Sequence, residues 1–277
     1  MVVVSTYFIA TKHAEYAKHE FPPGSTVIDP WRYIPDQPGV TVKRIGQNRP
    51  ALISVLLPSR GRPENLERFL ASLYSTVAHQ RFVEVLVRLD NDDPKLGEYL
   101  KLEQPVSFYH GPRDLLSKNW NDIAQAASGE IFLHAGDDIT FDTPGWDEKI
   151  RDTFARFPDR ILFAYGDDLG PNGQTFGTHG FVHRRWVETV GYFLPPLFSS
   201  DWNDVWLNEV AENLGRKVFV DGLVMEHHHY IFGKAERDVT HAEREERGEK
   251  DDVVGLYERT GKERQMDTEK LRAVMAA

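Results

Sequence analysis

The sequence predicts an α/β fold built on a mainly parallel central sheet with helices on its faces. Two patterns lead there. From residue 51 onward, short apolar runs alternate with segments of helical period, as in a sheet wound with crossover helices. Three of those runs end in paired carboxylates, Asp92-Asp93, Asp137-Asp138 and Asp167-Asp168. Parallel sheets bind ligands beyond the carboxyl ends of their strands, so a parallel sheet would gather these acids at one edge.

Residues 51–58, ALISVLLP, form a continuous apolar run, the mark of a strand buried on both faces. The polar turn SRGRP follows. Leu66, Phe69, Leu70 and Leu73 then recur at i, i+3, i+4 and i+7, giving a helix from Pro63 to about Ser75. Val83, Val85, Val87 and Leu89 alternate within a second strand at 82–89, and 105–111 reads as a third. Trp120, Ile123, Ala124 and Ala127 share a helix face that Gly129 is expected to close. The run EIFLHAGDD is a fourth strand, and a helix from Trp146 to about Phe157 precedes strand 160–168. Residues 181–193 cover a strand and a short helix. The segment 200–215 is a helix with Asp201 near its start, Leu207, Val210, Ala211 and Leu214 inward, and Gly215 past its end. Strand-like runs at 217–230 close a core of 51–235. Trp146, Trp186 and Trp206 are expected in it.

Two segments flank this core. Residues 1–50 hold Pro22, Pro23, Pro30, Pro35, Pro38 and Pro50 and only short strand candidates, Val2–Ile9 and Val40–Ile45. They read as an appendage, with 27–33 an ordered loop because Trp31 and Tyr33 resist exposure. Residues 236–277 balance acid against base and carry few apolar residues. They read as a partly helical tail lying on the core or a partner, its charges a solvated face.

Composition bounds the function. With 277 residues, 40% hydrophobic and 12% aromatic, the chain can bury a real core. No apolar run approaches the roughly 20 residues that cross a bilayer, so no integral membrane segment is expected. The opening Met-Val-Val-Val-Ser is unlike a signal peptide, and cytoplasm is the expected compartment. The absence of cysteine excludes disulfides and thiolate metal sites. A net charge of −10 argues against a general nucleic-acid binder. It also means that an anionic substrate needs a cation or Arg/Lys clamps. A divalent cation, Mn²⁺ or Mg²⁺, with a diphosphate supplying further oxygens, would neutralise Asp137-Asp138. Asp167-Asp168, followed by LGPNG, reads as turn chemistry.

The order of segments resembles family 2 glycosyltransferases of the GT-A fold. ISVLLPSRGRPENLERFLASL is similar to that family's opening strand, turn and helix. VEVLVRLDNDD is similar to its second strand with a nucleoside-contacting acid. GPRDLLSKNWNDIAQAASGEIFLHAGDD resembles the segment leading to its Asp-x-Asp metal motif. The resemblance covers about residues 51–230. It departs at Ala135, which stands where the pattern Asp-Ala-Asp-Asp has its first acid, so Asp137 falls on the metal-binding position and Asp138 beside it.

The resemblance implies a nucleotide-sugar donor, with a UDP-sugar expected. Pro58, Ser59 and Arg60 would line the base or ribose. Asp90 would accept a hydrogen bond from the base, with Asp92 nearby, and Asn119 and Asp138 would also face the donor. Arg113 and Lys118 would meet phosphates, as cations in an acidic protein should. Asp137, with His227 and His229 from the run EHHHY, would hold the metal. Two histidines two residues apart after a strand can share a face. Asp201 would be the general base of an inverting transfer, with Asp204 the alternative and a helix N-cap its competing role. Trp202 would stack on an acceptor or sugar. The acceptor stays open among a glycan, a protein and a modified DNA base. The rival readings are a sugar nucleotidyltransferase, disfavoured by a single glycine in PSRGRPEN, and a catalytically silent binding module of the same fold.

Overall fold

The computed structural model describes residues 5–11, 13–31, 33–44 and 51–276. The chain folds as two compact units, Met1–Pro50 and Ala51–Ala277.

In the first unit β1 (Thr6–Phe8), β2 (Thr26–Asp29) and β3 (Thr41–Arg44) form a parallel sheet in that order. Its small core is Ile9, Phe21, Val27 and Ile34. The expected loop at 27–33 is half strand. Asp29, buried at the end of β2, accepts the backbone N–H groups of Trp31, Tyr33 and Ile34 at 3.0, 2.8 and 2.8 Å and so builds the turn itself. Trp31 is nonetheless 47% exposed. Its indole N–H donates to the Ile9 carbonyl, and with that polar edge bonded the wet ring is tolerated. Of the expected strands, residues 2–4 and Ile45 lie outside the described residues, as do Arg32 and Pro50.

The second unit carries β4 (Ile53–Ser59), α1 (Pro63–Thr76), β5 (Val83–Asp90), α2 (Leu96–Tyr99), β6 (Ser107–Gly111), α3 (Leu116–Ala126), β7 (Ile131–His134) and β8 (Ile139–Phe141). It continues with α4 (Trp146–Ala155), β9 (Phe163–Asp167), β10 (Gly180–His183), α5 (Arg184–Val190), α6 (Asn203–Asn213), β11 (Lys217–His227), α7 (Val239–Lys250), α8 (Val253–Arg259) and α9 (Gly261–Met275). The sheet order is β6-β5-β4-β7-β10-β9-β11-β8. The first four strands run parallel. β10 opposes both neighbours, and β11 is parallel to β9 but antiparallel to β8.

Strand alternation explains the continuous apolar run of β4. Ile53, Val55 and Leu57 join α1 and α4 in one core layer, and Leu56 joins α3 and α6 in the other. Both faces are covered, so the strand is apolar except at Ser54, whose hydroxyl donates to Glu84, and at its end in Ser59. Leu66, Phe69, Leu70 and Leu73 of α1 are buried, as are Trp146, Trp186 and Trp206.

Gly129 does not close α3, whose C-cap is Ala127 in an extended conformation. A Cβ on Gly129 would lie 2.3 Å from Ser54 Oγ and 2.9 Å from the Leu52 carbonyl. The glycine is there for close backbone approach to β4. Gly215 does follow α6, with φ +66°.

The C-terminal helices lie on the core, and some of their charges, expected as a solvated face, are buried. α9 packs on α5 and α6. Its buried face is Arg264, Asp267, Thr268 and Leu271. Asp267 accepts from the Trp206 indole at 3.1 Å, and the Arg264 guanidinium lies 3.7 Å from the Tyr257 ring centre. A face that is mostly polar and satisfied by bonding leaves no apolar period to read. Among the described residues no helix is long and apolar enough to cross a membrane.

Candidate active site

Because β4, β5 and β7 are parallel, their carboxyl ends share one sheet edge. There β4 delivers Ser59, Arg60 and Arg62, β5 delivers Asp90, and β7 leads through His134 into the Gly136-Asp137-Asp138 turn. The opposite wall comes from Thr178-His179 before β10, Asp201 and Asp204 around the start of α6, and His227 and His229 at the end of β11. Helix α7 adds Thr240, His241, Arg244 and Arg247. Together these residues enclose a cleft of about 220 Å³.

The adjacent acids are neutralised by different groups. Asp137 accepts from Ser59 Oγ at 2.5 Å and lies 3.5 Å from Arg62 Nη1. Ser59 also bonds the Tyr99 hydroxyl. Asp138 Oδ2 lies 3.3 Å from His227 Nε2. Burial raises the Asp137 carboxyl, against the pull of Arg62. Burial would raise Asp138 too, but His227, His179 and Arg62 hold it below the usual carboxylate range. Gly136 allows the turn: a Cβ there would lie 2.6 Å from Asp138 Oδ1 and 3.2 Å from His179 Cε1.

The donor set expected for a cation, Asp137 with His227 and His229, is not the one that converges. Asp138 faces the imidazoles and Asp137 faces Ser59 and Arg62, since consecutive residues of the turn point apart. Asp138 forms one cluster with His179 and His227 and a second with His229 and His241, the ligand atoms of each within 4.8 Å of one another. His228 turns away to Thr140 Oγ1 at 2.9 Å. Burial and His227 push His179 down to about 4, and burial and His227 do the same to His229. Burial opposes the His227 charge, yet Asp138, Asp168 and Asp204 raise it.

Asp90 is buried beside Pro58 in the cleft wall, its carboxyl raised by burial while Arg60 and Arg88 draw it down. Arg60 Nη1 bridges Asp90 at 3.3 Å and Asp92 at 2.7 Å. Asp92 itself is exposed and does not line the cleft. Arg113 lines it and pairs with Glu243 of α7 at 2.5 Å. Asn119 lines it as well, its Oδ1 unpartnered among the described residues. Lys118 does not. It sits on the solvent side of α3, paired with Asp114 one turn back, because the apolar stripe holding Asn119 and Trp120 inward turns position 118 out. Trp202 also lies off the cleft and packs on Tyr257 of α8, ring centres 4.6 Å apart.

Asp201 does not cap α6, whose N-cap is Trp202 at φ +77°. It pairs with Arg244 Nη1 at 3.1 Å. Asp204, partly buried in the cleft wall, is pushed up to about 6 by burial, with Asp201 adding to the rise. Asp167 and Asp168 spend their oxygens on the backbone N–H groups of Leu169 and Gly170 and on the side chains of Gln174 and Thr178, which is turn chemistry.

Sequence reasoning missed Arg62, His134, His179, His241, Arg244 and Arg247. For α7 a signal existed: His241, Arg244 and Arg247 recur at i, i+3 and i+6, one helix face. For His179 there was none, since it precedes a strand with no motif around it.

A profile of the family described as "Glycosyl transferase family 2" matches residues 54–192. Over 191 residues, 59% of this chain, the sequence is 27% identical to the O-antigen biosynthesis protein RfbC of Myxococcus xanthus, a stretch spanning 14% of that protein. Three solved structures share the fold. The mannosyltransferase PcManGT from Pyrobaculum calidifontis, in complex with GDP-Man and Mn²⁺, superposes with a TM-score of 0.54 at 13% identity, covering 65% of this chain and 57% of that one. GalNAc-T7 with UDP, GalNAc and Mn²⁺ gives 0.53 at 14% identity, covering 65% and 44%. TarS of S. aureus gives 0.51 at 15% identity, covering 63% and 36%. The chain thus spans less than two thirds of each of these proteins. At such identities the structural likeness is one of fold, the GT-A arrangement.

Proposed function

The chain belongs to glycosyl transferase family 2, and from that premise we propose that its cleft binds a nucleotide-sugar donor and passes the sugar to an acceptor hydroxyl. One observation carries the proposal. Asp90, the Asp138–histidine cluster and Asp204 line a single cleft at the carboxyl ends of parallel strands, where α/β sheets bind ligands.

The residues divide the work. Asp90 accepts the N–H of the base, and Arg60, fixed between Asp90 and Asp92, donates to a neighbouring carbonyl. Uracil and guanine both offer that pattern, and we take a UDP-sugar as the donor to test first. A divalent cation fits the donors at Asp138 and His227, where His227 Nδ1 is buried without a partner among the described residues. An imidazole among the donors suits Mn²⁺ better than Mg²⁺. When bound, the cation supplies charge stabilisation to the departing diphosphate. Arg62 stays charged for the same anion, with Asp238, Asp137 and Asp138 outweighing the effect of burial.

We assign the general base to Asp204 rather than Asp201. Burial raises both carboxyls, Asp204 to about 6 and so into the range of a base, while Asp201 rises against the pull of Arg244, which pairs with it. The acceptor O–H gives its proton to Asp204. Its oxygen bonds the anomeric carbon as the bond to the diphosphate breaks, with inversion. The acceptor class we favour is a glycan, in line with the O-antigen role in the name of RfbC. The net charge of −10 weighs against DNA.

The test is thermal unfolding with uridine and guanosine diphosphates and their sugars, with and without Mn²⁺. A ligand at 100 times its Kd adds about 2.7 kcal/mol. A Mn²⁺-dependent rise with UDP, lost in Asp138→Asn, supports the reading. No rise with any nucleotide refutes it.

A further inference from the structure

Five imidazoles stand in a row through the cleft wall, His134, His179, His227, His229 and His241, with successive ring centres 5.9, 5.0, 5.1 and 5.2 Å apart. Asp138 sits between two possible ion positions, one with His179 and His227 and one with His229 and His241. The two differ in what their nitrogens already do.

In the outer position the two Nδ1 atoms are committed to the protein, while His241 Nε2 is buried without a partner among the described residues. His229 Nδ1 accepts the Ile231 backbone N–H at 3.3 Å. His241 Nδ1 accepts the Asp238 backbone N–H at 3.2 Å, inside the capping box that starts α7, and lies 2.9 Å from Arg62 Nη2. A neutral imidazole accepting at Nδ1 carries its proton on Nε2, which then has no lone pair for a metal. These rings seat α7 and its turn.

In the inner position the one such contact is to the proposed ligand Asp138 itself, whose Oδ2 lies 3.3 Å from His227 Nε2. Among the described residues both ring nitrogens of His179 are buried without a hydrogen-bond partner, as is Nδ1 of His227. His179 is 9% exposed and His227 8%. Unmade bonds of this kind are costly in a folded interior and call for a partner. His179 packs edge-on to His227 and against Gly136 of the acidic turn, so its ring is fixed by tight packing.

We propose that His179 is a direct ligand of the cation, completing a site with Asp138 and His227. This rests on the reading that the cleft holds a cation. Two imidazoles and one carboxylate leave positions open for the oxygens of a diphosphate. They also favour Mn²⁺ or Co²⁺ over Mg²⁺, which demands oxygen.

The experiment is Mn²⁺ binding to the full chain without nucleotide, followed by EPR and titration calorimetry. His179→Ala and Asp138→Asn should each weaken Mn²⁺ at least about tenfold, the scale seen when even supporting residues of metal sites are lost. The off-site control His228→Ala should stay within about twofold of the parent. Pulsed EPR of the unmutated protein gives a readout independent of any variant's folding: bound Mn²⁺ should couple to nitrogens of two imidazoles. Parent-like affinity in His179→Ala, or coupling to fewer than two imidazoles, overturns the inference while Asp138→Asn still reports a cation in the cleft. Mn²⁺ binding unaffected by Asp138→Asn overturns the cation reading and this inference together.

Discussion

Replacing Asp204 by asparagine should make the protein more stable and less active at once. Burial raises this carboxyl to about 6 in the folded state, from an ordinary value of 3.8. A carboxyl whose folded pKa is raised binds its proton more tightly in the fold than in the unfolded chain. Its effect is therefore absent below the unfolded pKa and becomes a penalty as pH rises through the interval from about 4 to about 6. Roughly two pKa units correspond to about 3 kcal/mol, an upper bound at pH 7 because Asp204 retains some solvent contact. Asparagine keeps the shape and cannot ionise. The expected gain is about 1–3 kcal/mol, or about 2–4 °C in Tm per kcal/mol for a unit of this size. Activity should move the other way. A general base contributes about 10²–10⁴ in rate, so hydrolysis of a bound nucleotide sugar, with water as acceptor, should fall by that factor. The parent's acid limb near pH 6 should also vanish. UDP affinity, read by calorimetry, should be unchanged. Hydrolysis within threefold of the parent with the acid limb intact would refute the assignment. A fall in Tm would refute the claim that Asp204 is strained by burial.

Three further outcomes are expected. Gly129→Ala places a Cβ 2.3 Å from Ser54 Oγ and 2.9 Å from the Leu52 carbonyl, and overpacking of this kind costs about 1–3 kcal/mol; an unchanged urea midpoint would show that the backbone yields. Lys118→Ala should leave UDP affinity and stability within about 0.5 kcal/mol, since its partner is the surface Asp114; a weakened UDP Kd by calorimetry would return Lys118 to the donor site. His183 caps α5 by accepting the Arg185 N–H at Nδ1 and is lowered to about 4 by burial, then by Arg160, Arg184 and Arg185. Because the unfolded chain takes up this proton first, stability should fall as pH drops from about 6.5 to about 4, by about 1–2 kcal/mol after discounting for partial exposure. Urea unfolding at pH 7 and 4.5 should show that slope reduced in His183→Asn, which keeps a capping oxygen.

The sequence by itself determined the parts of this protein that repeat with a local period. Ile53 to Leu57 read as a strand buried on both faces, and Leu66 to Leu73 as a helix stripe, because side-chain direction follows from spacing along the chain. Asp90, Asp137, Asp138 and Asp204 were legible as candidates because each stands at the edge of such an element, beside the buried run that fixes its position. What the tertiary structure alone decided was who faces whom. It set Asp138 rather than Asp137 against the histidines, because the turn to β8 points consecutive side chains apart. It turned Lys118 outward with the polar face of α3 and put Trp202 against Tyr257. It brought His179 and the α7 residues His241, Arg244 and Arg247 into the cleft, from segments with no apolar pattern to announce them. Arg62 and His241 are separated by 179 positions in the chain and by 2.9 Å in the fold. A contact of that kind is set by strand order and by the docking of helices on the sheet. Local spacing can put His241, Arg244 and Arg247 on one helix face, but not say what that face meets, so the chemistry of the cleft becomes visible only once the chain has closed around it.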